Sequence, residues 1–182
     1  MFELVRSWRP DTLTDTAELL ESIEGQVVAL MNMGTTLDRI LHQVKAPKHL
    51  LEKPYLRPVY DDPQFLVRNV WRLYGGWYEG EPDNLLPAPR AEQAREWVAL
   101  SGGLDPVLAR VQELRDAGNL RLACHLVEHA VIAEPASKEA HTLRQEVYSA
   151  RAALETSSMA RNILNHAALA SAEGKRDLAG DY

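Results

Sequence analysis

DPQFLVRNVWRLYGG, residues 62–76, carries the start, the middle and the end of one helix. Asp62 can accept hydrogen bonds from the first free backbone N–H groups, and Pro63 fits the first helical position, where an N–H has no partner. Apolar side chains recur between them at helical spacing, and the pair Gly75-Gly76 stops the helix. The stretch therefore predicts an amphipathic α-helix with defined ends.

The same signals occur on the N-terminal side of this helix. Thr14-Asp15 is predicted to cap one helix that ends at Gly34, and Thr35 is predicted to cap a second one that ends before Pro47. Because the connection between these two helices is short, we expect them to pack antiparallel.

Further helices are predicted on the C-terminal side. They cover residues 92–100, 105–118 and 119–134 and a segment that begins at Ser137. Asp105 is the predicted cap of the second of these, with Pro106 in its first turn. The alternating helices that precede Pro135 resemble one tetratricopeptide unit, in which each helix buries one face against the next.

No segment shows the alternation of a β-strand, so the chain is predicted to be all-α, a bundle of about 7–9 helices with a tetratricopeptide-like hairpin in its C-terminal half. Three prolines within residues 47–60 predict an extended connector. We therefore expect an N-terminal helical hairpin at residues 1–53 and a second domain at residues 54–171. Residues 172–182 have few apolar side chains and are predicted to form a flexible tail.

Composition argues against several classes of function. The chain has 182 residues, of which 46% are apolar, enough to form a core. Twenty Lys and Arg against 26 Asp and Glu give a net charge of −6, so no overall basic field attracts nucleic acid. No apolar run approaches the roughly 20 residues that span a bilayer, and the start lacks the pattern of a secretory signal. We therefore expect no membrane insertion and a cytoplasmic location.

Two short motifs in the C-terminal half could carry chemistry. His125, Glu128 and His129 have the spacing of a zinc peptidase motif, in which two histidines one turn apart share a metal. No third ligand has a recognisable signature, so we favour structural histidines and predict no metal site. Cys124 lies among apolar residues, which indicates a buried thiol and not a nucleophile.

Residues 54–80 concentrate arginines, aromatics and a glycine pair. Guanidinium groups donate forked hydrogen bonds to oxyanions, and glycines let a backbone approach a ligand closely, so this segment could bind an anion. In the alternative, structural interpretation, the arginines form ion pairs with nearby acids and the aromatics are core. The residues concerned are Arg68 and Arg72 with Asp61, Asp62 or Glu79, and Trp71, Tyr74 and Trp77.

Several separated stretches resemble one family. They are Met31-Asn32 and residues 50–54, 57–80, 120–123 and 155–161. In them the chain resembles the dimerisation domain of zinc-dependent alkyl sulfatases, which are sulfuric ester hydrolases of the metallo-β-lactamase superfamily. The resemblance extends from about residue 16 to residue 163. That superfamily binds zinc through a His-x-His-x-Asp-His motif, and none of the six histidines of this chain stands in such a motif.

The resemblance implies roles for two residues and for partners. It implies that Arg68 and Tyr74 bind sulfate, as an Arg and a Tyr six residues apart do in the family. On a straight helix side chains at this spacing lie about 120° apart, so they could flank an anion without lining one stripe. The resemblance also implies a homodimer, and it places zinc in a partner or in a missing catalytic domain.

Two functional hypotheses follow from these observations. In the first, the chain is an interaction module, either a homodimerising domain or the separately encoded half of a zinc sulfatase that joins a metallo-β-lactamase-fold chain. In the second, it binds a small molecule or anion such as a sulfate ester and retains the Arg68 and Tyr74 half-site. In both, we expect that the chain alone contains no catalytic residue, holds no cofactor and hydrolyses no alkyl sulfate.

Overall fold

The computed structural model describes residues 10–177, and the regular structure in that range is helical. The α-helices are α1 (Pro10–Asn32), α2 (Leu37–Gln43), α3 (Lys48–Leu51), α4 (Pro63–Gly75), α5 (Arg90–Leu100), α6 (Leu104–Asp116), α7 (Leu120–Ala133), α8 (Lys138–Leu154) and α9 (Ser158–Ala172). A 3-10 turn covers Pro82–Asn84. No strand occurs between residues 10 and 177, which confirms the all-α prediction. Within the same range, no helix is both long and apolar enough to cross a bilayer.

The chain divides into two compact units, whose described parts are residues 10–86 and 87–177. The predicted boundary after residue 53 lies inside the first unit, because α4 follows the connector and packs against both α1 and α2. The helix that contacts α1 most extensively is α4 rather than the expected α2. The buried apolar side chains of this unit are Leu19, Ile23, Val27, Leu37, Ile40, Leu41, Val44, Leu50, Val67 and Trp71.

Polar side chains of α1 hold the connector in place. Asp15 is buried and accepts hydrogen bonds from Lys53 Nζ and the Tyr55 hydroxyl, both at 2.5 Å. These two hydrogen bonds keep the pKa of Asp15 below its ordinary value. Just before the connector, the Gln26 amide nitrogen donates to Lys45 O at 3.0 Å, and its oxygen accepts from Lys45 N at 3.2 Å. The connector is therefore tied to α1 and does not act as a free linker.

In the second unit α7 is central, since it packs against α5, α6 and α8, while α9 packs on α8. Its core consists of buried apolar side chains from α5 to α8: Ala94, Val98, Val107, Val111, Leu114, Ala123, Val127, Ala130, Val131, Ala133, Ala140, Leu143 and Val147. Successive helices thus bury one face each on a neighbour. The tetratricopeptide-like character of the hairpin stays a prediction. The predicted tail lies outside the described residues from 178 onward, as do residues 1–9 of the predicted N-terminal hairpin.

Helix starts follow the sequence where a side chain caps the next turn. Asp62 accepts from Gln64 N at 2.8 Å, and Ser137 accepts from Ala140 N at 3.2 Å, both as predicted. The predicted cap Asp105 is wrong, because the cap residue of α6 is Gly103, two positions earlier, whose φ of 116° favours glycine.

Candidate functional site

A cavity of about 450 Å³ lies along α4 in the first unit. Arg68, Asn69 and Arg72 of α4 line it, and the segment after the helix adds Trp77 and Glu79. Further lining residues are Leu37, Phe65, Trp71 and Gly76. A backbone hydrogen bond of 3.0 Å from Leu37 N to Glu79 O fixes the returning segment against the start of α2. The cavity therefore combines two guanidinium groups, an amide and an indole.

The two arginines of this cavity are available to a ligand. Arg68 and Arg72 lie one turn apart and are exposed, and neither forms an ion pair with any residue between 10 and 177. The ion pairs with Asp61, Asp62 or Glu79 that the structural interpretation expects are therefore absent between residues 10 and 177. Such unpaired, forked donors suit an oxyanion. Asn69 was not predicted to line this cavity, although it directly follows Arg68 in the sequence.

The Tyr74 side chain lies elsewhere. It is 56% exposed, it does not line the Arg68 cavity, and its hydroxyl donates to the carboxylate of Glu24 on α1. This hydrogen bond raises the pKa of Tyr74 above its ordinary value. In this chain the structure does not bring the Tyr74 hydroxyl and the Arg68 guanidinium into one cavity. Their joint role in sulfate binding stays a prediction.

Trp71 forms the floor beneath this cavity. The side chain is 8% exposed, so its predicted place in the core is confirmed, whereas Trp77 is 79% exposed. Gly75 lets the end of α4 lie close to Met31 of α1, because a Cβ at this position would lie 2.8 Å from Met31 Cε and 3.3 Å from Trp71 Cε2. Trp71 Nε1 is the single buried side-chain N or O without a hydrogen-bond partner between residues 10 and 177. The close packing of apolar groups around the indole is therefore achieved at the expense of one hydrogen bond.

The second unit contains a polar network centred on Arg144, which is 4% exposed. Its Nε donates to Glu128 Oε1 at 2.6 Å, and its Nη1 donates to Ala167 O and Ser171 Oγ, both at 2.8 Å. The Tyr148 hydroxyl also donates to Glu128, at 2.8 Å. Burial pushes the pKa of Glu128 up, but Arg144 and Tyr148 outweigh it and hold that pKa below its ordinary value. The network ties α7, α8 and α9 together.

This network argues against the zinc peptidase interpretation of His125, Glu128 and His129. Glu128 would have to activate a metal-bound water, yet its carboxylate is bound by Arg144 and Tyr148. No group of three His, Cys, Asp or Glu side chains is placed to hold a metal ion in the part of the chain that the structure describes. The described residues therefore give His125 and His129 no third ligand, and the absence of a metal site from this chain stays a prediction.

Cys124 is expected to react slowly in the folded chain. Burial raises the pKa of its thiol from 9.0 to about 11, which lowers the thiolate fraction at neutral pH about hundredfold. Alkylation by iodoacetamide should therefore be slower than in the urea-unfolded chain by about that factor. Since Cys124 is the only cysteine, the mass of the product reports this site alone. Equal rates in both states would contradict the buried-thiol interpretation.

Comparisons with known proteins agree on one family. The family described as alkyl sulfatase dimerisation matches residues 36–174. An (R)-specific secondary-alkylsulfatase of Pseudomonas sp. is 36% identical over 135 residues, which are 74% of this chain and 20% of that protein. An alkyl/aryl-sulfatase of Saccharomyces cerevisiae is 30% identical over 133 residues, which are 73% of this chain and 21% of that protein. The chain thus spans about a fifth of the length of these curated relatives.

A solved structure gives the same result. The stereoselective inverting sec-alkylsulfatase from Pseudomonas sp. superposes with a TM-score of 0.84 at 32% identity, over 89% of this chain and 26% of that one. The likeness therefore covers both the helical fold and the sequence, within one part of a longer protein. The chain belongs to the alkyl sulfatase dimerisation family, and in its sulfatase relatives this domain is one part of a larger protein.

Proposed function

We propose that the chain is a homodimerising module and that α5 forms part of the contact. The observation that carries this proposal is the apolar exposed face of that helix. Trp97 is 58% exposed and Leu100 is 78% exposed, and they lie three residues apart on one side of α5. Large exposed apolar side chains that cluster in this way mark contact surfaces, and Trp is enriched among the residues that anchor such contacts.

The surroundings of these two side chains fit a two-fold contact. A cavity of about 500 Å³ lies beside them, and its lining includes Ala88, Gln93 and Glu96. In a symmetric dimer the same patch is used by both chains, so a projecting indole and an adjacent cavity can each serve the other copy. The polar residues at the rim match the usual arrangement of an apolar centre surrounded by polar groups.

The mass of the chain in solution tests this proposal. Sedimentation velocity at micromolar concentration should give the mass of two chains, twice 20.4 kDa. A stable contact of this type buries at least about 1,000 Å² and should therefore persist on dilution through the micromolar range. A mass of one chain throughout that range would reject the homodimer.

We further propose that the chain serves sulfate ester hydrolysis together with a zinc-bearing, metallo-β-lactamase-fold part, on the same polypeptide or as a separate chain. The curated relatives are sulfatases, and this chain spans about a fifth of their length. The residues of this chain that support the proposal are Arg68 and Arg72, whose guanidinium groups face a cavity large enough for an alkyl sulfate head group. Zinc and the bond-breaking step are assigned to the other part.

A binding measurement on this chain alone tests the second candidate function, an anion-binding half-site. Sulfate is expected to bind in the millimolar range, on the order of −4 kcal/mol, because water screens a cavity that nothing else covers. Arg68→Ala should abolish the heat of binding at constant ionic strength, since it removes a forked donor. The matched control is Arg39→Ala, which removes an exposed arginine of α2 outside the cavity.

The Tyr74→Phe variant separates the structure from the family resemblance. With its hydroxyl on Glu24, Tyr74 should contribute little to sulfate binding by this chain alone. Unchanged affinity in Tyr74→Phe together with a loss in Arg68→Ala is therefore the expected pair of results. If Arg68→Ala does not change the binding, or if Arg39→Ala weakens it as much as Arg68→Ala does, the Arg68 half-site is rejected.

A further inference from the structure

A second cavity, of about 440 Å³, lies within the second unit and is lined by residues from four helices. Arg90 comes from the start of α5, His125 and His129 from α7, and His166 from α9. Arg176, which follows α9, closes one side. These residues are far apart in the sequence and form no recognisable motif. The sequence alone therefore does not reveal that they lie together. We call this group the histidine-arginine cavity.

The two carboxylates of this cavity already have partners within the protein. Glu128 is held by Arg144 and Tyr148, and its second oxygen accepts from Arg176 Nε at 3.2 Å. Asp177 lies 3.6 Å from His166 Nε2. Arg90, in contrast, forms no ion pair with any residue from 10 to 177. Three arginines against two carboxylates therefore leave a positive excess before any imidazole is protonated.

The pKa of a histidine in this cavity is affected by the same positive charge. His129 is partly buried, and burial, Arg90 and His125 together lower the pKa of its ring. A cation at this position is therefore disfavoured while the cavity holds only protein groups. An anion in the cavity would remove that penalty. The three histidines do not offer a metal site instead, because no group of three possible ligands is placed to share an ion in the described residues.

We propose that the histidine-arginine cavity binds a small tetrahedral oxyanion, such as a sulfate or phosphate group, free or as an ester head group. Arg90 supplies the forked donor, and the ring N–H groups of His125 and His129 on α7 and of His166 on α9 supply single donors. Ile163, which is 62% exposed, adds an apolar edge where the organic part of an ester would lie. The volume accommodates such a group with water.

Binding should strengthen as the pH falls. The charged or titratable groups that face the imidazoles are Arg90 of α5, Cys124 and Glu128 of α7, Arg144 and Tyr148 of α8, and Arg176 and Asp177 after α9. Of all these, the histidines are the groups that ordinarily change charge near neutral pH. By linkage, an anion that binds more tightly to protonated histidine must raise the histidine pKa, because its acid dissociation constant in the complex falls by the same factor.

Sulfate is the probe that tests this, because its charge is constant over the range in which histidine titrates. Histidine ring resonances of the full chain are followed by NMR during sulfate titrations at constant ionic strength, at about pH 6 and about pH 8. We expect saturable shifts of His125 and His129, with affinity about tenfold higher at the lower pH. Ester head groups are distinguished by repeating the titration with methyl phosphate and hexyl sulfate, which should gain affinity only if the apolar edge at Ile163 contributes.

Variants decide the assignment. Arg90→Ala should weaken sulfate binding at His129 about tenfold or more, and it should raise the pKa of that histidine, since a neighbouring positive charge is removed. Arg121→Ala, which removes an exposed arginine of α7 outside this cavity and outside the cavity beside Trp97, is the matched control and should change neither quantity. Arg68→Ala should leave the His129 shifts intact, which separates this cavity from the half-site of the first unit. Linear, unsaturated shifts, or shifts unaffected by Arg90→Ala, would overturn the proposal.

Discussion

Replacing Arg144 with methionine is expected to lower the free energy of unfolding by about 3 kcal/mol. The Arg144 side chain is 5% exposed and that of its partner Glu128 is 14% exposed, so the variant leaves a carboxylate largely buried without its main counter-charge. Methionine fills much of the same volume, which limits the contribution of a cavity. The loss therefore reflects the unpaired charge and the free oxygens of Ala167 and Ser171.

Urea unfolding followed by circular dichroism measures this loss. The matched control is Arg110→Met, because Arg110 also pairs with a glutamate, Glu113, at 2.6 Å, but both side chains are more than half exposed. Such a pair contributes at most about 1 kcal/mol. Adding Glu128→Gln to Arg144→Met should restore part of the stability, since the buried charge is gone. Equal, small losses in the two single variants would show that the network does not hold α7 to α9.

The difference in the free energy of unfolding between wild-type and Arg144→Met should depend on pH in a defined direction. Because the pKa of Glu128 is lowered in the folded chain, the stabilisation by its ionised form is fully present above the ordinary pKa of 4.5 and is lost as the pH falls through the lower, folded pKa. The difference in the free energy of unfolding between wild-type and Arg144→Met should therefore be constant near neutral pH and become smaller in acid.

The fold could be predicted from the sequence wherever local signals decide the structure. The cap Asp62 with Pro63 places the start of α4, and Gly76, with φ 75°, ends it. Thr14-Asp15 failed as a cap, because α1 begins at Pro10 and Asp15 is engaged by Tyr55, 40 positions later. A side chain with a distant partner gives no local signal that it is unavailable for a nearer role.

The candidate site shows the same division. Val67 and Trp71 are buried one turn apart, which places Arg68 and Arg72 on the neighbouring, exposed face of α4, as helical periodicity predicts. The partner of Tyr74 is Glu24, 50 positions earlier, and no periodicity reveals it. Arg144 was missed for another reason. An arginine is seldom buried, so its residue type alone gave no reason to place Arg144 inside, although it is 4% exposed.

Trp97→Ala is expected to convert the dimer to monomers. Truncation of a central Trp costs about 2 kcal/mol or more of binding free energy, and in a two-fold dimer the change occurs twice. The dissociation constant should therefore rise by about a thousandfold, to which about 4 kcal/mol corresponds. The fold should survive, because the side chain is 58% exposed and contributes little to the core formed by Ala94 and Val98 of the same helix.

Sedimentation velocity over a dilution series measures the constant, and circular dichroism confirms that the helices remain. Leu169→Ala is the matched control, since Leu169 is 61% exposed on α9, another helix of the same unit. If Leu169→Ala dissociates the dimer and Trp97→Ala does not, the chain dimerises through α9, and the exposed face of α5 must have another role. If Trp97→Ala gives folded monomers and Leu169→Ala does not, the contact surface is the exposed face of α5, because Trp97 is the only residue that was changed.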